Sequence, residues 1–103
     1  MKGGGRATAR DAGVAQMRVD KFLQVSRLVR RRVLAQRLCD AGHVLVNDRR
    51  ARAGTAVGPG DVLDLTLGPR RLVVRVRRLP ATPREAGGAY ELVREVTDEG
   101  WWG

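Results

Sequence analysis

Apolar residues recur at helical spacing early in the chain and alternate with polar residues later. Val19, Phe22 and Leu23 lie three and four positions apart, which predicts a helix over residues 19–26 with Phe22 and Leu23 in the core. Asp20 lies in the first turn, where it can cap the helix or complement the positive end of its dipole. The folded part of the chain is therefore expected to begin with a short amphipathic helix.

A second helix is predicted over residues 31–41. Its apolar residues Leu34, Leu38 and Ala41 recur at i, i+4 and i+7, so we expect this stripe to face the core. Gly42 follows the last turn, where a positive φ angle is often required and glycine adopts it without strain.

Short segments rich in Val and Leu follow the helices and predict strands. These segments are residues 44–46, 62–67, 72–79 and 90–96, and residues 49–53 are expected to return as the partner strand of the first. Asn47-Asp48 predicts a tight hairpin turn between the first two strands, because both residues tolerate a positive φ angle. Pro59-Gly60 predicts a type II turn before the third strand.

Two helices followed by short antiparallel strands indicate the α+β fold class, with two N-terminal helices packed on a small antiparallel sheet. The chain has 103 residues, which is the size of one domain. We expect residues 1–17 to form a flexible N-terminal arm and residues 18–80 to form the folded domain. Residues 81–103 would add a loop, an edge strand and a tail.

The composition excludes several classes of protein. No segment approaches the roughly 20 apolar residues that a membrane span requires, and the N-terminus lacks the apolar region of a secretory signal. The single cysteine, Cys39, excludes an internal disulfide, and we expect it to be a small, half-buried hydrophobic residue. We therefore expect a cytoplasmic protein with no membrane partner.

Positive charge is concentrated in one part of the chain. The formal net charge is +9, and residues 18–52 contain ten basic residues against three acidic ones. Residues 53–103 contain seven arginines and seven acidic residues, so that half is neutral. A dense basic segment repels itself unless a polyanion faces it, and arginine can hold phosphate with two hydrogen bonds. This distribution predicts a nucleic-acid interface, although a solvated charged face is the alternative.

The candidate interface residues are the charged residues of this segment. They are Arg18, Asp20, Lys21, Arg27, Arg30, Arg31, Arg32, Arg37, Arg49, Arg50 and Arg52. Arg27 and Arg30 to Arg32 lie at the junction between the two helices, where free amide groups at the start of the second helix also favour an anion. Asp20, two residues from Arg18, either caps its helix or holds Arg18 toward RNA, and the sequence leaves both roles open.

No constellation typical of catalysis or metal binding is present. The sequence has no phosphate-binding glycine loop, no nucleophile elbow and no paired metal motif. His43 is the only histidine, and we expect a structural role for it at the start of a strand. We therefore expect no catalytic residue, no metal site and no cofactor.

Aromatic residues are too few to form a stacking platform. The chain has only Phe22, Tyr90, Trp101 and Trp102, and none of them is interleaved with the basic cluster. Platforms for single-stranded RNA alternate aromatic and basic residues on a sheet. The sequence therefore predicts recognition of structured RNA through its shape and its phosphates.

Four segments in order resemble the S-four type (alpha-L) RNA-binding domain. They are RVDKFL, SRLVRRRVLAQRL, DAGHVLVND and VGPGD, and the resemblance extends from about residue 18 to residue 79. One departure is Asp48, where the family hairpin often has glycine after asparagine. In larger proteins this domain is attached to tRNA synthetases or pseudouridine synthases. Nothing similar follows here, so we expect the protein not to be an enzyme.

The resemblance also suggests a function. Short bacterial members form two related groups, one acting in ribosome quality control and one named after heat-shock protein fifteen. Both bind obstructed large ribosomal subunits, and the compact N-terminal motifs and short C-terminus are more similar to the first. The resemblance implies that a basic face bridges large-subunit RNA and P-site peptidyl-tRNA while a partner factor extends the stalled chain. The residues of that face would be Arg18, Arg27, Arg30, Arg31 and Arg32.

Three alternatives to this function remain open at the level of sequence. One is a heat-shock-type ribosome recycling factor, and another is a general accessory protein that binds structured RNA or DNA without any need for tRNA. A third is a detached domain of a modification enzyme, which the missing catalytic constellation disfavours. We expect the protein to be a monomer that binds the large ribosomal subunit and tRNA.

Overall fold

The computed structural model describes residues 15–97, which form an α+β arrangement. Strand β1 (Met17–Arg18) leads directly into helix α1 (Val19–Val25), and helix α2 (Arg32–Asp40) follows. The later strands are β2 (Val44–Val46), β3 (Arg49–Arg50), β4 (Ala56–Val57), β5 (Val62–Leu67), β6 (Arg70–Val76) and β7 (Tyr90–Thr97), with a 3₁₀ turn at Pro83–Glu85. Residues 1–14 of the predicted arm, and Trp101-Trp102 of the predicted tail, lie outside the described residues.

The strands of the described residues form two antiparallel sheets. The larger has the order β3-β2-β5-β6-β7, so β7 is an edge strand as the sequence predicts. The smaller pairs β1 with β4, with Arg18 opposite Ala56. The sequence did not indicate this second sheet, because two-residue strands have no periodicity to detect. The predicted strand over residues 49–53 is shorter than expected and ends at Arg50.

The turns that join the strands have the predicted backbone conformations. Asn47 and Asp48 have φ angles of 52° and 70°, which place the hairpin between β2 and β3 in the left-handed region. Gly60 has a φ angle of 96° after Pro59. The amide of Asp61 donates to the carbonyl of Gly58 at 3.1 Å, which closes the type II turn.

The core lies between the helices and one face of the larger sheet. Phe22 and Leu23 of α1 are fully buried, which confirms their predicted positions. They belong to a cluster with Leu63 and Leu65 of β5 and Val74 of β6, all fully buried. Alternate residues of the strands supply this face because side chains of a strand point in turn to opposite sides.

The predicted inward stripe of α2 is wrong. Leu34 is 45% exposed, Ala41 is exposed and Leu38 is only partly buried, whereas Ala35 and Cys39 are buried. Compared with the prediction, the helix is rotated about its own axis, so that Ala35 and Cys39 face inward in place of Leu34 and Ala41. Small side chains at the contact allow α2 to approach α1 closely.

Polar residues complete the stripe that α2 turns toward α1. Arg32, Ala35, Gln36 and Cys39 recur at i, i+3, i+4 and i+7, which defines one face of a helix. Arg32 and Gln36 both donate hydrogen bonds to the buried carboxylate of Asp20. A polar partner under this face therefore draws two polar residues inward and leaves Leu34 toward solvent.

Gly42 ends α2 as predicted, with a φ angle of 82°. Its amide donates to the carbonyl of Cys39 at 3.0 Å, and the amide of His43 donates to that of Leu38 at 2.9 Å. This pair of bonds is a Schellman motif, which satisfies the last carbonyl groups of the helix.

The Cys39 side chain is more deeply buried than predicted, and burial raises the pKa of its thiol to about 11. The thiol therefore stays protonated and packs as a hydrophobic group.

Candidate nucleic-acid interface

The carboxylate of Asp20 lies at the centre of the basic segment. Asp20 is 0% exposed, yet two arginines reach it from the surface. Arg18 donates from Nε to Oδ1 at 3.1 Å and from Nη2 to Oδ2 at 3.2 Å. Arg32 approaches with Nε 3.2 Å from Oδ2 and Nη2 3.4 Å from Oδ1. We call Arg18, Asp20 and Arg32 the arginine clamp, because one carboxylate fixes both guanidinium groups.

Two further donors complete the surroundings of this carboxylate. The side-chain amide of Gln36 donates to Oδ2 at 3.0 Å, and the backbone amide of Lys21 donates to Oδ1 at 2.7 Å. Burial alone would raise the pKa of Asp20, but the hydrogen bonds from Gln36 and the other donors lower it to about 2. Asp20 is therefore an anion at neutral pH, and the arginine clamp has a net charge of +1.

The start of α1 positions Asp20 through the backbone. The amides of Val19 and Asp20 donate to the carbonyls of Thr55 at 2.7 Å and Ala53 at 3.2 Å. These carbonyls accept from amides that would otherwise be free in the first turn of the helix. Arg18, at the N-cap position, makes no side-chain capping bond. The Asp20 carboxylate holds Arg18 and also accepts from the Lys21 amide. The role of this pair toward RNA stays a prediction.

The outer parts of both clamp arginines remain available to a ligand. The side chains of Arg18 and Arg32 are 54% and 43% exposed. Each directs Nε and Nη2 toward Asp20, so Nη1 remains for an external acceptor. Among the described residues no side chain caps the N-terminus of α2, and its first turn has no acidic residue, so its free amides add to the positive potential beside Arg32.

The other predicted interface residues are exposed cations. None of their side chains has a carboxylate of the described residues within 4 Å; they are Lys21, Arg27, Arg30, Arg31, Arg37, Arg49, Arg50 and Arg52. Two of them are nevertheless fixed by backbone carbonyls. Arg27 Nε donates to Pro83 O at 2.8 Å, and Arg50 Nη2 donates to Asp40 O at 2.7 Å.

The structure brings these residues together in three places. The arginine clamp joins Arg18 to Arg32 through Asp20, as described above. Arg27 and Arg30 line one shallow groove with Pro83. A second open groove is lined by Arg50 and Arg52. The described side-chain contacts link four of the predicted residues to none of these groups; they are Lys21, Arg31, Arg37 and Arg49.

Four arginines of residues 70–77 differ from most of those in the basic segment because each has a carboxylate partner at the surface. The pairs are Arg70 with Glu95, Arg71 with Asp64, and both Arg75 and Arg77 with Glu91. The pKa of Arg71 is raised by its hydrogen bonds to Asp64. Cations without an acidic neighbour are thus concentrated among residues 18–52, which agrees with the uneven charge of the sequence.

Gln36 is the residue of this site that the sequence analysis missed. The sequence feature that could have identified Gln36 is its spacing, because it follows Arg32 by four positions and therefore lies on the same face of the helix. A polar pair at this spacing, opposite an acidic residue on a neighbouring helix, indicates a buried hydrogen-bonding network.

Within the part of the chain that the structure describes, no group of three or more His, Cys, Asp or Glu side chains is placed to hold a metal ion. None of the helices in that part is long and apolar enough to cross a membrane. His43 is exposed just before β2, and its backbone bonds to Leu38 and Thr66 agree with a structural role.

Acid is expected to weaken the fold through Asp20. Its pKa falls from an ordinary 3.8 to about 2 in the folded protein. A lowered pKa contributes stability above the unfolded value, and this contribution is lost as the pH falls from about 4 toward 2. We expect about 2 kcal/mol from this group at neutral pH. The free energy of unfolding in urea, measured for wild type and Asp20→Asn, should differ by this amount at pH 7 and converge near pH 2. A difference independent of pH would contradict the assignment.

The S4 domain family matches residues 17–63, which include the arginine clamp, both helices and the hairpin turn. The fold and the site thus define a small protein built on an RNA-binding domain of this class. Among curated proteins, the chain is 43% identical over 81 residues to the RQC P-site tRNA stabilizing factor of Halalkalibacterium halodurans, covering 77% of this chain and 92% of the relative. The factor of the same name from Bacillus subtilis is 41% identical over 81 residues and is 94% covered. The chain belongs to the RQC P-site tRNA stabilizing factor family.

A solved structure supports the fold separately. The trimeric structure of heat shock protein 15 from Vibrio cholerae matches with a TM-score of 0.70 over 77% of this chain and 83% of that chain. The sequence identity is 24%, so this likeness shows a shared fold and nothing more. The predicted α+β class and the resemblance to S-four type domains are both confirmed.

Proposed function

We propose that this protein binds the large ribosomal subunit in ribosome-associated quality control and holds P-site peptidyl-tRNA there. Its relatives are named RQC P-site tRNA stabilizing factor, and this name supports both the proposed binding of P-site tRNA and the proposed role in quality control. The observation that supports the chemistry is the arginine clamp, where a buried carboxylate fixes two exposed guanidinium groups. Such a pair suits the phosphates of structured RNA, since each guanidinium keeps free donors and a fixed direction.

The proposed mechanism is positional and electrostatic. Arg18, Arg27 and Arg30 to Arg32 would contact phosphates of large-subunit RNA and of the tRNA, and so reduce the motion of the tRNA in its site. Fixing Arg18 and Arg32 in advance lowers the side-chain entropy lost on binding, about 0.5–1.5 kcal/mol for each ordered side chain. No side chain of the protein would make or break a bond, so we propose that it is not an enzyme.

Several finer points belong to the same proposal. The held tRNA would remain in place while a partner factor on the same subunit adds residues to the C-terminus of the stalled chain. We propose that the protein acts in the cytoplasm, where ribosomes translate. We also propose that it binds as a monomer, because the cations of the basic segment would repel those of a second copy.

Replacing a clamp arginine should reduce binding far more than replacing an exposed arginine elsewhere. Arg32→Ala is expected to weaken co-sedimentation with large subunits carrying peptidyl-tRNA about tenfold, since it removes a charge-assisted contact and half of the clamp. Arg94→Ala is the matched control, because Arg94 is exposed on β7 in the neutral half of the chain. Its affinity should stay within about twofold of wild type. Equal co-sedimentation of the two variants would contradict the proposal.

A further inference from the structure

Two exposed apolar side chains lie in the middle of the basic segment. Val33 and Leu34, in the first turn of α2, are 56% and 45% exposed. They follow Arg30, Arg31 and Arg32 directly in the sequence, and the first turn contains no acidic residue. A single exposed apolar residue is ordinary, but an adjacent pair surrounded by cations is a candidate contact surface for a bound partner.

The fold itself presents these residues to solvent. The side of α2 toward α1 is occupied by Ala35 and Cys39, together with the two polar residues that bond to Asp20. Val33 and Leu34 are therefore on the outer side because the carboxylate of Asp20 fixes the rotation of the helix. The same contact that orients the guanidinium of Arg32 also exposes the apolar pair beside it.

The positive charge around Val33 and Leu34 favours a negatively charged partner. Arg37 lies four positions after Val33 on the same face of the helix, and Arg30 and Arg31 precede the pair. None of these three arginines has a carboxylate of the described residues within 4 Å. The one acidic residue of α2, Asp40, is its last residue. A second copy of the chain would bring like charges together, whereas RNA offers phosphates next to apolar ribose and nucleobase faces.

We propose that Val33 and Leu34 form a non-ionic contact with ribose or nucleobase faces of the RNA whose phosphates the surrounding arginines bind. This inference rests on the proposed function, because it needs RNA at the basic segment. It adds a contribution to affinity that salt does not screen. It also favours RNA sites where a sugar edge or an unstacked base is accessible between phosphates, which continuous duplex offers less readily.

The salt dependence of binding separates this contact from the ionic ones. Leu34→Gln and Val33→Gln should each weaken binding to protein-free large-subunit RNA about fivefold, with the slope of log affinity against log salt unchanged. Arg31→Gln should also weaken binding but reduce that slope by about one. Glutamine favours helix and both positions are exposed, so circular dichroism and thermal unfolding should show an intact fold.

Val96→Gln is the matched control, since Val96 is 44% exposed on β7 in the neutral half of the chain. It should bind RNA as wild type does. If Arg31→Gln weakens binding while Leu34→Gln and Val33→Gln do not, the inference is overturned and the proposed function stands. If wild type fails to bind both protein-free RNA and large subunits, the proposed function is overturned, and the inference with it.

Two other results would assign the apolar pair to a different partner and so overturn the inference. If Leu34→Gln weakens binding to intact large subunits and leaves binding to protein-free RNA unchanged, the partner of the apolar pair is a ribosomal protein. If sedimentation of the free wild-type protein shows an oligomer that Leu34→Gln dissociates, the partner is a second copy of this chain.

Discussion

Raising the concentration of monovalent salt from about 50 to about 200 mM is expected to weaken binding to large ribosomal subunits about 1,000-fold. The reason is the number of cations that lie exposed in residues 18–52 without an acidic neighbour. About six phosphate contacts would release about five counterions, and this release is opposed by added salt. Fluorescence anisotropy of labelled protein, titrated with subunits at several salt concentrations, measures the slope.

Two arginine variants show which charges cause the slope. Arg31→Gln should reduce it by about one, because Arg31 is exposed and lacks an acidic partner within the described residues. Arg71→Gln should leave it unchanged, because Asp64 already neutralises Arg71 with a contact of 2.6 Å. A wild-type slope corresponding to one or two contacts, or equal effects of the two variants, would contradict the assignment of the interface to residues 18–52.

Asp20→Asn is expected to weaken RNA binding about tenfold although it makes the protein more positive. Asparagine is nearly isosteric with aspartate but uncharged, and its amide nitrogen is a donor, so neither Arg18 nor Arg32 can keep its contact with two acceptor atoms. Both side chains would then have to be ordered by the RNA, at about 0.5–1.5 kcal/mol each, which corresponds to about tenfold in affinity. The dissociation constant for large subunits, measured at a temperature where the variant is fully folded, checks this result.

Asp48→Asn is the control for the change of charge. Asp48 is an exposed acid in the same basic segment, and its φ angle of 70° is one that asparagine tolerates. This variant should bind as tightly as wild type or slightly more tightly, because it removes a negative charge without touching the arginine clamp. If Asp20→Asn also bound more tightly, net charge alone would explain the affinity, and the positioning role of Asp20 would be wrong.

The features that the sequence predicted correctly are those with strong local causes. Phe22 and Leu23 follow Val19 at helical spacing, and both are fully buried. Asn47, Asp48 and Gly42 occupy positions that need positive φ angles, and all three have them. Local backbone preference and an apolar stripe therefore sufficed for most of the element order.

The face of α2 could not be predicted in the same way, because its cause lies in another helix. Two of the four inward positions are Arg32 and Gln36, which are polar, so the apolar pattern favoured Leu34 instead. The pattern would be interpretable only if Asp20 were known to be buried opposite them. A buried charge is rare enough that composition and spacing do not suggest it.

The three members of the arginine clamp are among the predicted interface residues, but Gln36 and the organisation of the site were not predicted. The excess of arginine among residues 18–52 pointed to Arg18 and Arg32, and Asp20 was named because it lies two positions from Arg18. The sequence could not show that Asp20 binds Arg18 and Arg32 at once, since Arg32 is twelve positions away. That contact depends on how α1 packs against α2, which is a property of the tertiary structure. Roles in RNA binding for the individual residues remain predictions.

Site-specific crosslinking tests the central claim most directly. A photoreactive amino acid in place of Arg31 would be activated on large subunits that carry peptidyl-tRNA, and the crosslinked RNA would be sequenced. We predict crosslinks confined to the P-site tRNA and to large-subunit RNA beside it, and a marked reduction of their yield when Asp20→Asn is combined with the probe. Crosslinks scattered over unrelated RNA or duplex DNA, with none to the tRNA, would contradict the account.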